Sequence, residues 1–120
     1  MHEASLAGGV LRLVEQTAAR EGFTRLLSLR LEAGELSGVE VRALRFALEA
    51  LAPGTLLQGA AIEIEQPPGQ AWCLACAARV ALRQRGDACP ACGGWQLQPT
   101  GGTELRVLEM RVDGPAGLPE

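Results

Sequence analysis

Four cysteines stand in two pairs, Cys73-Leu-Ala-Cys76 and Cys89-Pro-Ala-Cys92, with twelve residues between the pairs. Two thiolates that are separated by two residues on a tight turn can both reach one ion. Two such turns complete a tetrahedral shell of four sulfurs, which is the arrangement that structural zinc prefers. The spacing therefore predicts a four-cysteine zinc site.

The residues around these pairs support the same chemistry. Pro90 pre-sets the second turn, and Gly93 and Gly94 let the backbone fold back so that amides can reach sulfur. A complete thiolate shell leaves no open position for water or substrate, so we expect a structural metal on which the surrounding segment depends for folding. A rubredoxin-like iron site uses similar turns, although nothing else in the sequence indicates an electron-transfer partner.

The chain begins Met1-His2-Glu3, and His2 is its single histidine. The terminal amine, the backbone nitrogens that follow it and the imidazole can all approach one ion, and planar nitrogen donors suit Ni(II) or Cu(II). Such a site is sensitive to pH because the imidazole must be neutral to bind. The alternative interpretation is an exposed side chain at a loose terminus, with Glu3 stabilising the first turn of a following helix.

Composition limits the other functions. The chain has 120 residues and a net charge of -3, and all eleven basic residues are scattered arginines, which argues against a general nucleic-acid binder. Neither a membrane span nor a signal peptide is evident. We therefore expect a cytoplasmic protein without membrane contacts, in a reducing compartment where close cysteines hold metal rather than form disulfides.

Apolar periodicity predicts two helices and three strands. Ser37 and Glu40 have the spacing of a capping box at the start of the second helix. Leu27, Leu29 and Leu31 are expected on the buried face of the first strand. In the last strand the alternation slips near Val107 and Leu108, which indicates either a bulge or a strand covered on both faces. The predicted helices span 5–20 and 37–51, and the predicted strands span 25–34, 60–66 and 103–112.

This order predicts an α+β fold, with two helices on a small three-stranded sheet and an inserted zinc-ribbon-like four-cysteine module. Residues 1–70 together with 101–113 are expected to form the α+β domain, which carries the candidate nickel site. Residues 71–100 form the zinc-binding module, and residues 114–120 are expected to be a flexible tail.

The Met1-His2-Glu3 start, the α+β domain, the segment Gly34-Glu-Leu-Ser-Gly-Val-Glu40 and the late cysteine pairs together resemble the HypA/HybF family, from Met1 to about Val112. The resemblance implies a nickel metallochaperone for [NiFe]-hydrogenase maturation that carries Ni2+ as transient cargo and Zn2+ as a structural ion. It places nickel on His2, with Met1 and Glu3 contributing through the terminal backbone, and zinc on the cysteines. These are Cys73, Cys76, Cys89 and Cys92.

The resemblance also matches a further acidic nickel ligand to Glu40, where the family usually has aspartate; the capping box explains the same residue equally well. It implies the GTPase HypB and the precursor of the hydrogenase large subunit as partners, and some relatives also serve urease maturation factors. The rival interpretation is a zinc-ribbon module that binds nucleic acid or protein. An enzyme is disfavoured because one terminal histidine and no Gly-rich phosphate loop leave little for a catalytic site.

Overall fold

A computed structural model describes residues 2–113, so Met1 and the expected tail at 114–120 lie outside the described residues. The fold is α+β, as predicted, but it has two small sheets instead of one. One sheet has the strand order β2-β1-β6 and the other β4-β3-β5. The elements are α1 (Glu3–Glu21), β1 (Arg25–Ala33), α2 (Val41–Leu51), β2 (Ala61–Glu65), β3 (Gln70–Cys73), β4 (Ala78–Ala81), β5 (Leu97–Gly101) and β6 (Leu105–Asp113).

The described residues divide into two units. The first contains 2–31, 40–64 and 107–113, and the second contains 32–39 and 65–106. In the first unit α1 contacts α2. Its core consists of aliphatic side chains and one phenylalanine, since the chain has few aromatic residues to fill it. The buried side chains of this unit include Ala7, Val10, Val14, Ala18, Phe23, Leu26, Leu29, Leu31, Leu44, Leu48 and Leu57.

Helix α1 begins directly after His2 and ends at Gly22. The carbonyl of His2 accepts a hydrogen bond from the Leu6 N–H at 3.0 Å, which makes His2 the N-cap residue. Gly22 takes the left-handed conformation (φ 84°), and its N–H donates to the Ala18 carbonyl. A glycine adopts this conformation at no steric cost, so the predicted end of the helix is confirmed. The backbone of His2 is therefore part of the helix start.

The predicted buried face of β1 is partly wrong. Leu29 and Leu31 are buried as expected, but Leu27 is 37% exposed and Leu26 is buried in its place. A regular strand buries every second residue, so an interval of three between Leu26 and Leu29 means that the alternation is interrupted at Leu27 and Ser28. The sequence pattern of β2 is confirmed, since Ile62 and Ile64 are half-buried between exposed glutamates.

The capping box proposed for α2 is also wrong. Helix α2 begins at Val41, and its N-cap is Glu40, whose carboxylate accepts a hydrogen bond from the Ala43 N–H at 2.9 Å. Ser37 instead closes a local turn, in which its hydroxyl accepts from the Val39 N–H. Gly38 takes φ +80° between them. This left-handed residue keeps the chain out of the helix until Glu40, so Ser37 lies before the helix and does not cap it.

The second unit holds the antiparallel sheet β4-β3-β5, which was not predicted. Its strands have only four or five residues, too few for an alternating pattern to stand out. The core is small: Leu36, Ala71 and Leu82 are buried, and Val80 and Leu97 pack against them. A core of this size supplies little stability by burial alone, so this unit needs a further source of stability.

Residues 32–39 join the second unit through backbone contacts. The N–H of Leu36 donates to the Gly102 carbonyl at 2.7 Å, and the N–H of Glu35 donates to the Pro67 carbonyl at 2.9 Å. The carboxylate of Glu35 accepts from the Gly69 N–H at 2.8 Å. A Cβ on Gly34 would overlap the carbonyl group of Gly102, so only glycine fits this crossing. These contacts hold Leu36 in the core.

Candidate metal centres

The four cysteines are brought together by the sheet of the second unit. Cys73 is the last residue of β3, and Cys76 follows it on the turn into β4. Cys89 and Cys92 lie on the turn that precedes β5. Their ligand atoms all lie within 4.8 Å of one another. The cluster predicted from the spacing is therefore present.

The separations match a four-thiolate ion site. Cys73 Sγ lies 3.8 Å from Cys92 Sγ, and Cys76 Sγ lies 4.0 Å from Cys89 Sγ. Metal–sulfur bonds of about 2.3 Å in a tetrahedron place the sulfurs ~3.8 Å apart. Four thiolates at this distance repel one another, and a divalent cation at the centre removes that repulsion. The donor set therefore fits a tetrahedral metal ion.

Backbone amides support three of the four sulfurs. Cys73 Sγ accepts from the Cys76 N–H, Cys89 Sγ from the Ala91 N–H, and Cys92 Sγ from the Gly94 N–H, each at 3.4 Å. Gly93 takes φ +76° and thereby turns the chain so that the next N–H faces Cys92. The predicted use of the two glycines is confirmed.

The environment separates the acidities of the thiols. Hydrogen bonds from the backbone N–H groups of Cys92 and Ala91 lower the pKa of Cys89 to about 7, although burial acts in the opposite direction. Hydrogen bonds with the side chains of Cys92 and Cys73, together with burial, raise the pKa of Cys76 to about 12. A metal ion that enters the cluster must therefore displace protons, so binding weakens as the pH falls.

The candidate ligands at the amino terminus lie in the first unit. His2 is exposed, and its side chain makes no capping hydrogen bond to the start of α1. Its ring is therefore accessible from solvent, which the interpretation as a ligand requires. Met1 lies outside the described residues.

Glu3 is nearly fully buried, at 5% exposure, and is the buried charged residue of the described part of the chain. Its Oε2 accepts a hydrogen bond from the Glu40 N–H at 2.9 Å. The start of α1 is thereby joined to the start of α2 through residues that are 37 positions apart. The sequence analysis singled out both residues but did not predict this bond, because no local pattern encodes a contact across that separation.

Glu40 is exposed and combines two interactions. Its backbone N–H donates to Glu3, and its Oε1 accepts from the Ala43 N–H. The capping role proposed for its carboxylate is thus present, although its partner differs from the one predicted. A carboxylate has about four acceptor sites, so capping α2 leaves it able to bind another group.

A two-helix α+β fold with a four-sulfur cluster defines a small metal-binding protein. The family model described as "Hydrogenase/urease nickel incorporation, metallochaperone, hypA" matches residues 1–112. The hydrogenase maturation factor HypA of Cupriavidus necator is 67% identical over 113 residues, which cover 94% of this chain and 95% of that protein. The protein of the same name from Polaromonas naphthalenivorans is 66% identical over 112 residues, covering 93% and 97%.

The chain belongs to the HypA family of nickel metallochaperones for hydrogenase maturation, which are not enzymes. This confirms the resemblance drawn from the sequence. The fold is also similar to the solution structure of the Ni metallochaperone HypA from Helicobacter pylori, with a TM-score of 0.66, 20% identity and coverage of 96% of this chain and 100% of that one. Within residues 2–113, neither helix is long and apolar enough to cross a membrane.

Proposed function

We propose that this protein carries Ni(II) at its amino terminus and delivers it to the precursor of the [NiFe]-hydrogenase large subunit. The ligands are the His2 imidazole, the terminal amine of Met1 and the backbone nitrogens that follow it, including that of Glu3. The observation that carries this proposal is the position of His2, exposed and immediately ahead of α1. Planar nitrogen donors favour nickel over zinc by geometry.

The start of α1 suits reversible binding. The Leu6 N–H donates to the His2 carbonyl, so the nitrogens of His2 and Glu3 lie in the first turn, ahead of the N–H groups that donate within the helix. Coordination by those nitrogens therefore removes no helical hydrogen bond. The positive end of a helix dipole opposes a bound cation, and the Glu3 carboxylate offsets that charge. An exposed site of this kind can release nickel by ligand exchange.

Glu40 is proposed as an additional nickel ligand. Its N–H is bonded to Glu3, the neighbour of His2 in the chain, and its carboxylate is exposed. One carboxylate oxygen caps α2 at Ala43. The remaining oxygen lone pairs of this carboxylate would bind nickel.

The cysteine cluster is proposed to hold structural Zn2+. Four thiolates meet the tetrahedral preference of zinc and leave no position for water, so the ion supplies folding energy rather than chemistry. The small core around Leu36, Ala71 and Leu82 supports this role, because burial alone stabilises it little. The type of donor atom and the coordination geometry thus direct nickel and zinc to different sites.

The proposed partners are the GTPase HypB and the large-subunit precursor, acting in the cytoplasm. The relatives named hydrogenase maturation factors and the family description, which also mentions urease, support a role in nickel-enzyme maturation. We therefore also propose delivery of nickel to urease maturation factors as a second route.

The test is nickel titration of the zinc-loaded protein and of His2→Ala, with X-ray absorption to report the donors. We expect the wild type to bind one Ni(II) with nitrogen ligands and His2→Ala to lose at least about tenfold in affinity, since one donor is removed. The zinc content of both proteins must be equal. Unchanged nickel affinity in His2→Ala, or nickel bound to sulfur, would falsify the proposal.

One residue added before Met1 provides a matched control. The extension keeps the histidine but moves the free amine away from it. We expect nickel affinity to fall while the far-ultraviolet circular dichroism and zinc content stay as in the wild type. Full retention of nickel binding by the extended protein would show that the terminal amine is not a ligand.

A further inference from the structure

The two cysteine turns of the metal cluster differ in their backbone donors. In the second turn both sulfurs accept an N–H, Cys89 from Ala91 and Cys92 from Gly94. In the first turn Cys73 accepts from the Cys76 N–H. Within residues 2–113, the Cys76 sulfur receives no backbone N–H, and its neighbours are the other three sulfurs, with that of Cys89 at 4.0 Å. Cys76 is therefore the exception among the four.

The chain that follows each turn accounts for the difference. Gly93 follows Cys92 with φ +76°, and the next N–H, that of Gly94, reaches the Cys92 sulfur. Ala77 follows Cys76 with φ 52°, the single non-glycine residue with positive φ in the described chain. The next residue, Ala78, pairs with Cys73 as the first residue of β4. Both residues are left-handed, so the two turns differ at the next residue: Ala78 belongs to β4, whereas Gly94 lies outside the strands and its amide reaches the last sulfur of its turn.

The solvent exposure of the four cysteines gives a different order from their backbone hydrogen bonds. Cys73 and Cys89 are buried, Cys76 is half-buried and Cys92 is exposed. If access alone set reactivity, Cys92 would react first. An N–H donor withdraws electron density from a thiolate, however, and makes its sulfur a poorer nucleophile. Cys76 combines partial access with the absence of such a donor, so the two criteria name different residues.

We propose that Cys76 is the reactive thiolate of the four-cysteine site, the position at which a soft carbon electrophile adds and from which the site opens. This inference rests on the proposed zinc site. The sulfur donates an electron pair to the electrophilic carbon, a carbon–sulfur bond forms, and the leaving group departs with its own electron pair. The product is a neutral thioether, which is a weaker ligand than a thiolate, so the metal remains held by three sulfurs and dissociates faster.

The experiment treats the full-length, zinc-loaded protein with substoichiometric iodoacetamide, which releases iodide in this step. Peptide mass mapping then measures the carbamidomethyl label on each cysteine, and a zinc indicator follows metal release. The unfolded, metal-free protein gives the intrinsic reactivity of each thiol for normalisation. We expect Cys76 to be labelled at least about tenfold faster than Cys92, the ratio that corresponds to one charge-assisted hydrogen bond.

Zinc release should follow Cys76 labelling one for one. Preferential labelling of Cys92, or equal labelling of all four, overturns the inference while the zinc site stands. A protein that contains no zinc before treatment instead removes the proposed zinc site itself. Metal analysis before alkylation separates the two results.

Discussion

The carboxylate of Glu3 accepts a hydrogen bond from the backbone N–H of Glu40 at 2.9 Å. Glu3 opens α1, and Glu40 is the N-cap of α2. One buried side chain therefore joins the two helix starts, and both partners in this bond, Glu3 and Glu40, are among the proposed nickel ligands. Its removal should affect folding and nickel binding together.

Replacing Glu3 by alanine removes the acceptor of the Glu40 N–H. We expect a lower melting temperature and faster hydrogen exchange at the Glu40 amide, measured by nuclear magnetic resonance. Glu3→Gln is the matched control, because its amide oxygen can still accept this hydrogen bond. Equal exchange rates in Glu3→Ala and the wild type would mean that the bond does not hold the two helices.

Variants of Glu40 separate capping from nickel binding. Glu40→Ala removes the cap and should lower the free energy of unfolding by about 1 kcal/mol. Glu40→Gln keeps an oxygen for Ala43 but loses the negative charge, so we expect near-normal stability with weaker nickel binding. Glu40→Asp retains both features and serves as the control. Nickel titration and urea unfolding measure the two effects, and unchanged affinity in Glu40→Gln would limit Glu40 to the cap.

Removal of the metal should unfold the second unit selectively. Its core is small, and without a cation no bond joins the four sulfurs, whereas the first unit has its own apolar core. After chelation we expect amide exchange to rise throughout β3, β4 and β5 and to change little in α1. Zinc added back should restore protection. Intact protection of β3 without metal would contradict this dependence.

Two glycine substitutions should have opposite effects. Gly34→Ala forces a Cβ into the Gly102 carbonyl group, and because backbone cannot move aside cheaply we expect a loss of about 3 kcal/mol. Gly9→Ala lies within α1, where the nearest atom to a new Cβ is the end of the Arg12 side chain at 3.9 Å. It should stabilise the helix by about 1 kcal/mol. Chemical denaturation of both variants checks the signs.

Two predictions from short sequence patterns were confirmed because the pattern itself fixes the local backbone. The spacing of Cys73 and Cys76 predicts a shared ion because two residues on a tight turn fix the approach of both sulfurs. Gly22 ends α1 as expected, since the left-handed conformation is a property of that residue. The capping box failed at Ser37, because Gly38 turns the chain before the helix begins, and the spacing of serine and glutamate does not reveal that turn.

The sequence by itself determined the helices, the α+β class and the four-cysteine cluster, because periodicity and short spacings act within a few residues. Only the tertiary structure decided that Glu3 is buried against Glu40 and that residues 32–39 join the second unit. It also decided which sulfurs receive an amide. Some of these contacts link residues that are far apart in the chain, and others depend on a single backbone angle. Short sequence patterns predict neither kind.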